Sequence, residues 1–209
     1  MRPIFITGTS TDVGKTLVAA IVTEALEADY WKPVQAGFAE GTDSEWIRQM
    51  MSNNKTIVHP ELYKLQMPAS PHIASRKEHK KISIKEIRNH MPQTENQLVI
   101  EGAGGLMVPL NDKKFVLDLV KKLKARVIIV SKNELGSINH SLLTAAVLRK
   151  EKIDVIGWIF NEEYLSYENE ISKWSGYDVI ASVKHLPVIN QEVIQQEAEK
   201  MKASLLKFL

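Results

Sequence analysis

The feature that most constrains this chain is the triplet Gly14-Lys15-Thr16, which follows a short apolar run. The run at residues 4–6 is typical of a buried strand, whereas Leu17, Ile21 and Ala25 recur at the spacing of a helix. Strand, loop and helix in this order are the setting of a phosphate-binding loop, where backbone N–H groups and the positive helix end hold phosphate oxygens. The triplet therefore predicts a nucleoside triphosphate site.

Two side chains of this loop have defined expected roles. Lys15 would reach the terminal phosphates, and the Thr16 hydroxyl would coordinate Mg²⁺. The common motif has glycine six residues before the lysine, but that position is Thr9 here and Gly8 lies one residue earlier. The alternative is a chance triplet at a helix start, which the surrounding strand and helix disfavour.

Composition limits the classes of protein to consider. The chain has 209 residues, 44% of them hydrophobic, which predicts a single domain over residues 1–209. Its 27 basic and 25 acidic residues give no reason to expect a nucleic-acid partner. The absence of cysteine excludes disulfides and thiolate nucleophiles. Because no apolar segment approaches membrane-spanning length and no leader pattern is present, we expect a soluble, cytoplasmic protein without a membrane partner.

Apolar runs alternate with amphipathic segments along the whole chain. Further strands are predicted at residues 30–34, 98–101, 126–131, 155–160 and 179–183. Helices are predicted to begin at a Thr42–Glu45 capping box and to span residues 83–90, 115–123, 137–149, 165–174 and 191–208, while residues 53–80 are less regular. This alternation predicts an α/β fold with three layers, in which helices flank a mainly parallel central sheet.

Ligands of such folds collect beyond the carboxyl ends of the strands. Glu101 ends an apolar strand and is a candidate Mg²⁺ ligand, although a strand-end acid in solvent is the alternative. Asp43 is a second candidate, with a helix-start acid that satisfies the dipole as its alternative. With Thr16, the two carboxylates would form an oxygen-rich metal site.

Three other polar positions have a functional and an ordinary interpretation. Lys32 could neutralise charge on a transferred phosphoryl group, or it could be a surface lysine. The helix start at residues 136–140 could offer N–H groups to an anion, or could simply be a capped helix. Asn161 could hydrogen-bond a base edge, or could be a polar strand end. The six histidines show no metal-ligand spacing.

Taken together, these stretches resemble the dethiobiotin synthetase family. The similar segments, in family order, are residues 8–16, 31–37, 70–72, 101–105, 135–140 and 157–161. The phosphate loop is shared by a large superfamily of P-loop NTPases, whereas the Lys-Pro-Val, Glu-Gly-Ala-Gly-Gly and Gly-Ser-Ile-Asn-His segments are more specific. The resemblance implies an ATP-dependent cyclo-ligase of biotin synthesis. It would convert 7,8-diaminononanoate and CO₂ to dethiobiotin through a carbamate and a carbamic-phosphoric anhydride, releasing ADP and phosphate.

The resemblance also implies roles for individual residues. Lys32, Lys15 and Thr11 correspond to catalytic positions, and Thr16, Asp43 and Glu101 to the Mg²⁺ site. The positions implied to bind the nucleotide are Asp12, Val13, Gly14, Lys15, Thr16, Leu17, Asp43, Glu101, Gly102, Ala103, Gly104, Asn161, Leu186, Pro187 and Val188. Among them, Asn161 matches the adenine-reading asparagine.

The implied substrate site crosses two subunits. The positions that correspond to it are Lys32, Ala36, Gly136, Ser137, Ile138 and Asn139. The family is homodimeric, and the helix start at residues 136–139 of one subunit would receive the substrate carboxylate of the other. Ala36 departs from the family, which usually has a hydroxyl residue there, and loss of one hydrogen bond of about 1 kcal/mol would weaken substrate binding several-fold. Ser10 replaces a frequent aspartate, and the segment after Val188 matches the family poorly.

Three alternative functions fit the sequence less well. A nucleotide-dependent switch related to the partitioning ATPases would carry a signature lysine five residues before Lys15, where this chain has Ser10. An amidotransferase relative such as cobyrinate diamide synthase would need a glutaminase domain with a cysteine nucleophile, and this chain has no cysteine. An inactive ATP-binding module would not be expected to keep the catalytic and metal-binding positions. The sequence therefore favours the ligase.

Overall fold

A computed structural model describes residues 1–209 and is built on a central sheet. Its strands, in chain order, are β1 (Ile4–Gly8), β2 (Asp29–Trp31), β3 (Val34–Ala36), β4 (Val58–His59), β5 (Tyr63–Leu65), β6 (Leu98–Gly105), β7 (Pro109–Asn111), β8 (Lys114–Phe115), β9 (Arg126–Lys132), β10 (Val155–Asn161) and β11 (Val179–Val183). The helices are α1 (Lys15–Leu26), α2 (Asp43–Met50), α3 (Pro71–Lys77), α4 (Ile84–Asn89), α5 (Val116–Leu123), α6 (Ser137–Lys150), α7 (Glu168–Ser175) and α8 (Gln191–Leu206). None of these helices combines the length and apolar character needed to cross a bilayer.

Seven strands form the main sheet, in the order β11-β10-β9-β1-β6-β2-β4, and every neighbouring pair is parallel. Alternate side chains of the central strands enter opposite apolar clusters, because successive side chains of a strand point to opposite faces. Phe5 and Ile129 pack on the face covered by α3 to α7, whereas Ile6 and Ile128 pack on the face covered by α1, α2 and α8. Both faces of the sheet are thus buried, which confirms the predicted three-layer α/β fold.

The order of the strands brings the predicted site residues to one edge of the sheet. β1 lies between β9 and β6, and β6 lies beside β2. Ile6 pairs with Glu101, and Trp31 pairs with Ile100, so that Glu101, the residue after β2 and the last residues of β1 lie at the same edge of the sheet. The loop before α1, Glu101 and Lys32 therefore emerge next to one another.

Several predicted boundaries were wrong for identifiable reasons. The strand predicted at residues 30–34 is interrupted at Lys32-Pro33, because proline has no N–H to donate to a ladder, and β3 leaves the main sheet to pair with β5. β6 does not end at Glu101 but continues to Gly105, after a register shift against β1. Helix α7 begins at Glu168 instead of residue 165, since Leu165 and Ser166 have positive φ angles of 55° and 47°.

Other predictions were confirmed closely. Strand β11 has the predicted bounds, and Thr42 and Glu45 form the predicted capping box at the start of α2. Ser83 accepts a hydrogen bond from the backbone N–H of Glu86 at the start of α4. The less regular residues 53–80 contain the short strands β4 and β5 and helix α3.

Candidate active site

A cleft of about 850 Å³ opens beyond the carboxyl ends of β1, β6 and β2. It brings together twelve predicted site residues: Thr11, Asp12, Gly14, Lys15, Thr16, Leu17, Lys32, Ala36, Asp43, Glu101, Ala103 and Gly104. The remaining wall includes residues 68–71, of which Ser70 and Pro71 belong to a segment singled out in the sequence. The phosphate loop and the predicted metal ligands therefore share one cavity.

Glu101 is the centre of the polar network in this cleft. Its side chain is fully buried, so the interpretation as a strand-end acid in solvent is wrong. Oε1 accepts hydrogen bonds from Thr16 Oγ1 at 2.9 Å and from Lys32 Nζ at 2.8 Å. Three residues predicted from separate parts of the sequence thus meet at one carboxylate oxygen.

Lys32 lies between two carboxylates. Its Nζ also donates a hydrogen bond to Asp43, and the residue is 7% exposed, so it is not a surface lysine. Burial opposes the charged form of Lys32, but the negative charges of Glu101 and Asp43 outweigh burial and raise its pKa. Lys32 therefore stays cationic at neutral pH and is available to stabilise negative charge in the cleft.

Helix α2 presents Asp43 to this ammonium in a fixed position. Asp43 is the first residue of α2, directly after the capping residue Thr42. Its backbone N–H donates to Oε1 of Gln35 at 3.3 Å, and Gln35 Nε2 donates to the carbonyl of Gly37 at 2.8 Å. The segment after β2 and the start of α2 are thereby tied together. Gln35 is a cleft residue that the sequence analysis did not single out.

Lys15 folds back over the phosphate loop. Its Nζ donates to the carbonyl oxygen of Ser10 at 3.0 Å. Burial lowers the pKa of Lys15, and the neighbouring charge of Lys32 lowers it further, whereas the charge of Glu101 raises it. Two cationic side chains therefore face the same cavity, an arrangement that suits a polyanionic ligand.

Gly14 is required by the shape of the loop. It caps α1 with a φ angle of 87°, in the left-handed region that favours glycine. A Cβ atom at this position would lie 2.2 Å from Nδ2 of Asn161. Asn161, which is buried at the end of β10, also donates from Nδ2 to the carbonyl of Val13 at 3.3 Å. The structure thus places Asn161 directly against the phosphate loop.

Other predicted nucleotide positions lie outside the wall of the cleft. Gly102 packs on the Phe5 ring, since an added Cβ would lie 2.7 Å from Phe5 Cε1. Val13 is buried in the core. Leu186 packs partly against the apolar cluster under α1 and α8, whereas Pro187 and Val188 are exposed. The cleft wall does not include these residues, so their contact with nucleotide stays a prediction.

The start of α6 is also separate from the main cleft. Gly136 has a φ angle of 94° and no neighbouring atom within 4 Å of an added Cβ. The Ser137 hydroxyl is buried and lies 2.5 Å from the Tyr167 hydroxyl, which donates to the carbonyl of Glu134 at 2.9 Å. Ile138 packs partly on the core, and Asn139 lies on the exposed side of the helix. Within its own chain, this segment does not meet Lys32 or Ala36 in the cleft.

Tyr30 is a member of the network that sequence reasoning missed. Its hydroxyl donates to Oε2 of Glu101 at 2.7 Å, and both side chains are fully buried. Burial raises the pKa of Tyr30 well above its ordinary value, and the charge and hydrogen bond of Glu101 raise it further, so the phenol remains a donor. The available signal was its spacing from Lys32, because residues two apart on a strand share one face.

The oxygen atoms of the cleft fit a divalent cation of the Mg²⁺ type. Thr16 and Lys32 share one oxygen of Glu101, and Lys32 also contacts Asp43, so a hydroxyl and two carboxylates are linked by neighbouring contacts in one cleft. No group of three or more His, Cys, Asp or Glu residues could hold a metal ion anywhere in the chain. Two carboxylates and a hydroxyl suit Mg²⁺, which usually takes its other ligands from phosphates and water.

Comparison with known proteins identifies relatives along nearly the whole chain. A family model described as an AAA domain matches residues 2–193. The ATP-dependent dethiobiotin synthetase BioD of Cytophaga hutchinsonii is 48% identical over 203 residues, which cover 96% of this chain and 97% of that protein. The protein of the same name from Christiangramia forsetii is 45% identical, with 98% of each chain covered. That of Paramagnetospirillum magneticum is 37% identical, with 93% of each chain covered.

Solved structures show the same fold at low sequence identity. The septum site-determining protein MinD of Pyrococcus horikoshii, complexed with Mg-ADP, matches 99% of this chain and 93% of its own, with a TM-score of 0.60 and 15% identity. A putative plasmid partition protein of Borrelia burgdorferi bound to AMPPNP covers 100% of both chains, with a TM-score of 0.62 and 14% identity. At these identities the likeness is one of fold alone.

Proposed function

Because this chain belongs to the family of the ATP-dependent dethiobiotin synthetases, we propose that the cleft around Glu101 and Lys32 is where it carries out their reaction. The enzyme is a cyclo-ligase that uses ATP to close a urea ring on 7,8-diaminononanoate. The observation that carries the assignment of the site is that Glu101 contacts Thr16 and Lys32, and Lys32 also contacts Asp43, in the cavity that contains the phosphate loop.

The reaction needs positioning and charge more than a nucleophilic side chain. One amine of the diamine adds to CO₂ and forms a carbamate. A carbamate oxygen then attacks the γ-phosphorus of ATP, and ADP leaves. The second amine attacks the carbonyl carbon of the mixed anhydride, phosphate leaves and the ring closes. Since no covalent enzyme intermediate forms, catalysis rests on alignment of the reactants and on stabilisation of charge.

Different residues of the cleft are assigned to phosphate binding and to charge stabilisation. We assign the triphosphate to the loop from Asp12 to Leu17, with Lys15 at the terminal phosphates. Lys32, held as a cation between Glu101 and Asp43, neutralises charge on the transferred phosphoryl group and the carbamate. Thr11 lines the same cavity and is assigned a place beside the transferred group.

We also assign a Mg²⁺ site to the oxygen atoms of this cleft. Thr16, Asp43 and Glu101 would hold the ion, which supplies charge neutralisation to the phosphates when it is bound. Asn161, seated against the phosphate loop, is assigned to the adenine edge. Ala103 and Gly104 follow Glu101 along β6, line the cleft and are assigned to the same ligands, whereas Gly102, which packs on Phe5, is assigned to them by the family resemblance alone. A cytoplasmic location accords with the use of ATP.

We further propose a homodimer in which the substrate site is shared. The start of α6 lies outside the main cleft, beside a second cleft of about 320 Å³ that is bounded by Thr9 to Thr11 and by His140 and Leu143. Leu135, Met107 and Leu143 are large apolar residues exposed around this region, at 88%, 54% and 59%. A second subunit that covers them would bring its own α6 start to the substrate carboxylate.

Mixing inactive subunits tests this arrangement. Lys32→Gln removes the cation of the cleft, and Gly136→Asp places a negative charge at the α6 start, so each homodimer should be nearly inactive. Hybrid dimers regain one intact site, and random mixing should restore roughly a quarter of the wild-type activity. Failure of any mixture to exceed the separate variants would contradict a shared site.

The alternative hypothesis, a nucleotide-dependent switch ATPase, has less support. The MinD and plasmid partition structures share the fold alone with this chain, and Ser10 occupies the position of the lysine expected in that class. Dethiobiotin formed by the purified protein from the diamine, bicarbonate and MgATP, identified by its mass, tests the ligase assignment directly.

A further inference from the structure

The side chain of Glu101 is held from two sides by different groups. Oε1 faces Thr16 and Lys32, at 2.9 and 2.8 Å, whereas Oε2 accepts only the Tyr30 hydroxyl, at 2.7 Å. Thr16 and Lys32 both line the cleft, but Tyr30 does not. The Tyr30 hydroxyl is therefore the partner of Glu101 that no bound ligand would need to touch.

The pairing of β2 with β6 fixes this contact. Tyr30 pairs with Val99, and Glu101 lies two residues further along β6, so the side chains of Tyr30 and Glu101 share one face of the sheet. The Tyr30 ring packs with Val99 in the apolar cluster on that face. A phenylalanine would preserve this packing, so the hydroxyl must be explained by its polar contact.

We propose that Tyr30 is a positioning residue for Glu101: its hydroxyl holds Oε2, so that Oε1 is presented to Thr16, Lys32 and the Mg²⁺ of the bound nucleotide. This inference rests on the proposed function of the cleft. The terminal torsion of a glutamate side chain is broad, so a carboxylate without a partner on its inner oxygen would sample several orientations. A fixed orientation matters because loss of a group that orients a metal ligand typically lowers metal affinity about 10- to 100-fold.

The test measures the affinity for Mn²⁺ in the presence of ADP, and the electron paramagnetic resonance signal of Mn²⁺ reports how much metal is bound. Tyr30→Phe should raise the dissociation constant of Mn²⁺ at least about tenfold, while the affinity for ADP without metal stays unchanged. The Mg²⁺ concentration that gives half-maximal dethiobiotin formation should rise in parallel. Tyr177→Phe is the matched control, because Tyr177 is a half-buried tyrosine outside the cleft whose hydroxyl makes no hydrogen bond.

A double variant separates positioning from a general effect on the fold. If Tyr30 acts through Glu101, adding Tyr30→Phe to Glu101→Gln should change the Mn²⁺ affinity less than about twofold, because interacting residues are not additive. An undiminished tenfold effect in the Glu101→Gln background would overturn the proposal. So would a wild-type affinity for Mn²⁺ in Tyr30→Phe, even if its melting temperature fell.

A donor-retaining variant covers the case in which Tyr30→Phe does not fold. Replacement of Tyr30 by 4-aminophenylalanine keeps the ring and an N–H donor, and it should keep the Mn²⁺ affinity within about threefold of wild type. A full tenfold loss there would contradict the role of the hydrogen bond. Failure of the proposed function would look different, since the wild-type protein itself would form no dethiobiotin while the Mn²⁺ comparison stayed readable.

Discussion

The ammonium nitrogen of Lys32 lies 2.8 Å from Oε1 of Glu101, and both side chains are buried. Lys32 belongs to the segment that follows β2, whereas Glu101 lies within the neighbouring strand β6. A buried carboxylate of this kind needs a cationic or hydrogen-bonding partner, because desolvation of an unpaired charge is costly. The pair therefore places a cation directly against a candidate metal ligand inside one cleft.

Lys32→Gln should separate binding from chemistry. The affinity for ATP should stay within about threefold of wild type, because Lys15 and the loop N–H groups are unchanged, whereas kcat should fall about 10²- to 10³-fold as charge on the transferred group loses its partner. Steady-state kinetics and calorimetric ATP binding measure the two quantities. Lys184→Gln is the control, since Lys184 is exposed and pairs only with Glu163. Wild-type turnover in Lys32→Gln would rule out the role assigned to Lys32.

Gly14→Ala should impair nucleotide binding more than it impairs folding. The new Cβ would meet the Asn161 amide at 2.2 Å, so the loop and Asn161 must both shift. We expect the affinity for ADP to fall at least about tenfold, because the shifted loop would lose hydrogen bonds to the phosphates. Gly176→Ala is the matched control, because Gly176 has a φ angle of 72° but its nearest atom, Arg149 Nη2, is 3.7 Å away.

Gly176→Ala should lower the free energy of unfolding by about 1–2 kcal/mol, because alanine is strained in the left-handed backbone region, and its ADP affinity should stay unchanged. Equal ADP affinities in the two variants would show that contact between the loop and Asn161 does not matter for binding.

Ala36→Ser should improve substrate binding. Ala36 lines the cleft at the position where a hydroxyl residue is expected from the family resemblance. One added hydrogen bond, worth about 1 kcal/mol, would lower KM for diaminononanoate roughly fivefold with little change in kcat. Ala69→Ser adds the same hydroxyl to another part of the cleft wall and should leave KM unchanged. An unaltered KM in Ala36→Ser would show that the diamine does not approach residue 36.

Asn161→Ala should relax the choice of base. If the buried amide reads the adenine edge, its loss should lower the ratio of kcat/KM for ATP over GTP about tenfold or more. Asn169→Ala, on the exposed side of α7, is the control and should preserve the ratio. A preference that is the same in Asn161→Ala and wild type would place adenine recognition elsewhere, and residues 186–188 would then be the next positions to test.

Much of the fold could be predicted because long buried strands contain continuous apolar runs, as in β9. The short ribbons β3–β5 and β7–β8 could not, since strands of two or three residues have no periodic pattern. The break between β2 and β3 depended on which neighbour each segment pairs with, and sequence spacing does not specify that choice.

The residues of the candidate site likewise divide into those that a sequence pattern predicts and those that depend on the arrangement of the strands. Lys15 and Thr16 could be predicted from the loop motif, and Glu101 from its place as a carboxylate directly after an apolar run, although β6 continues beyond it. The spacing of Tyr30 from Lys32 could have placed these two residues on one face, but the contact of Tyr30 with Glu101 depends on β2 lying beside β6, and this adjacency is a property of the sheet order. The role of the α6 start in substrate binding was predicted from the family resemblance. Its separation from the main cleft is visible only in the three-dimensional structure.

The measurement that tests the central claim most directly is ADP release from MgATP and bicarbonate, with and without 7,8-diaminononanoate, together with quantitation of dethiobiotin. We predict that ADP release depends on the diamine and that each ADP is matched by one dethiobiotin. ADP release that does not need the diamine, or no release under either condition, would contradict the assignment of this cleft as a dethiobiotin synthetase active site.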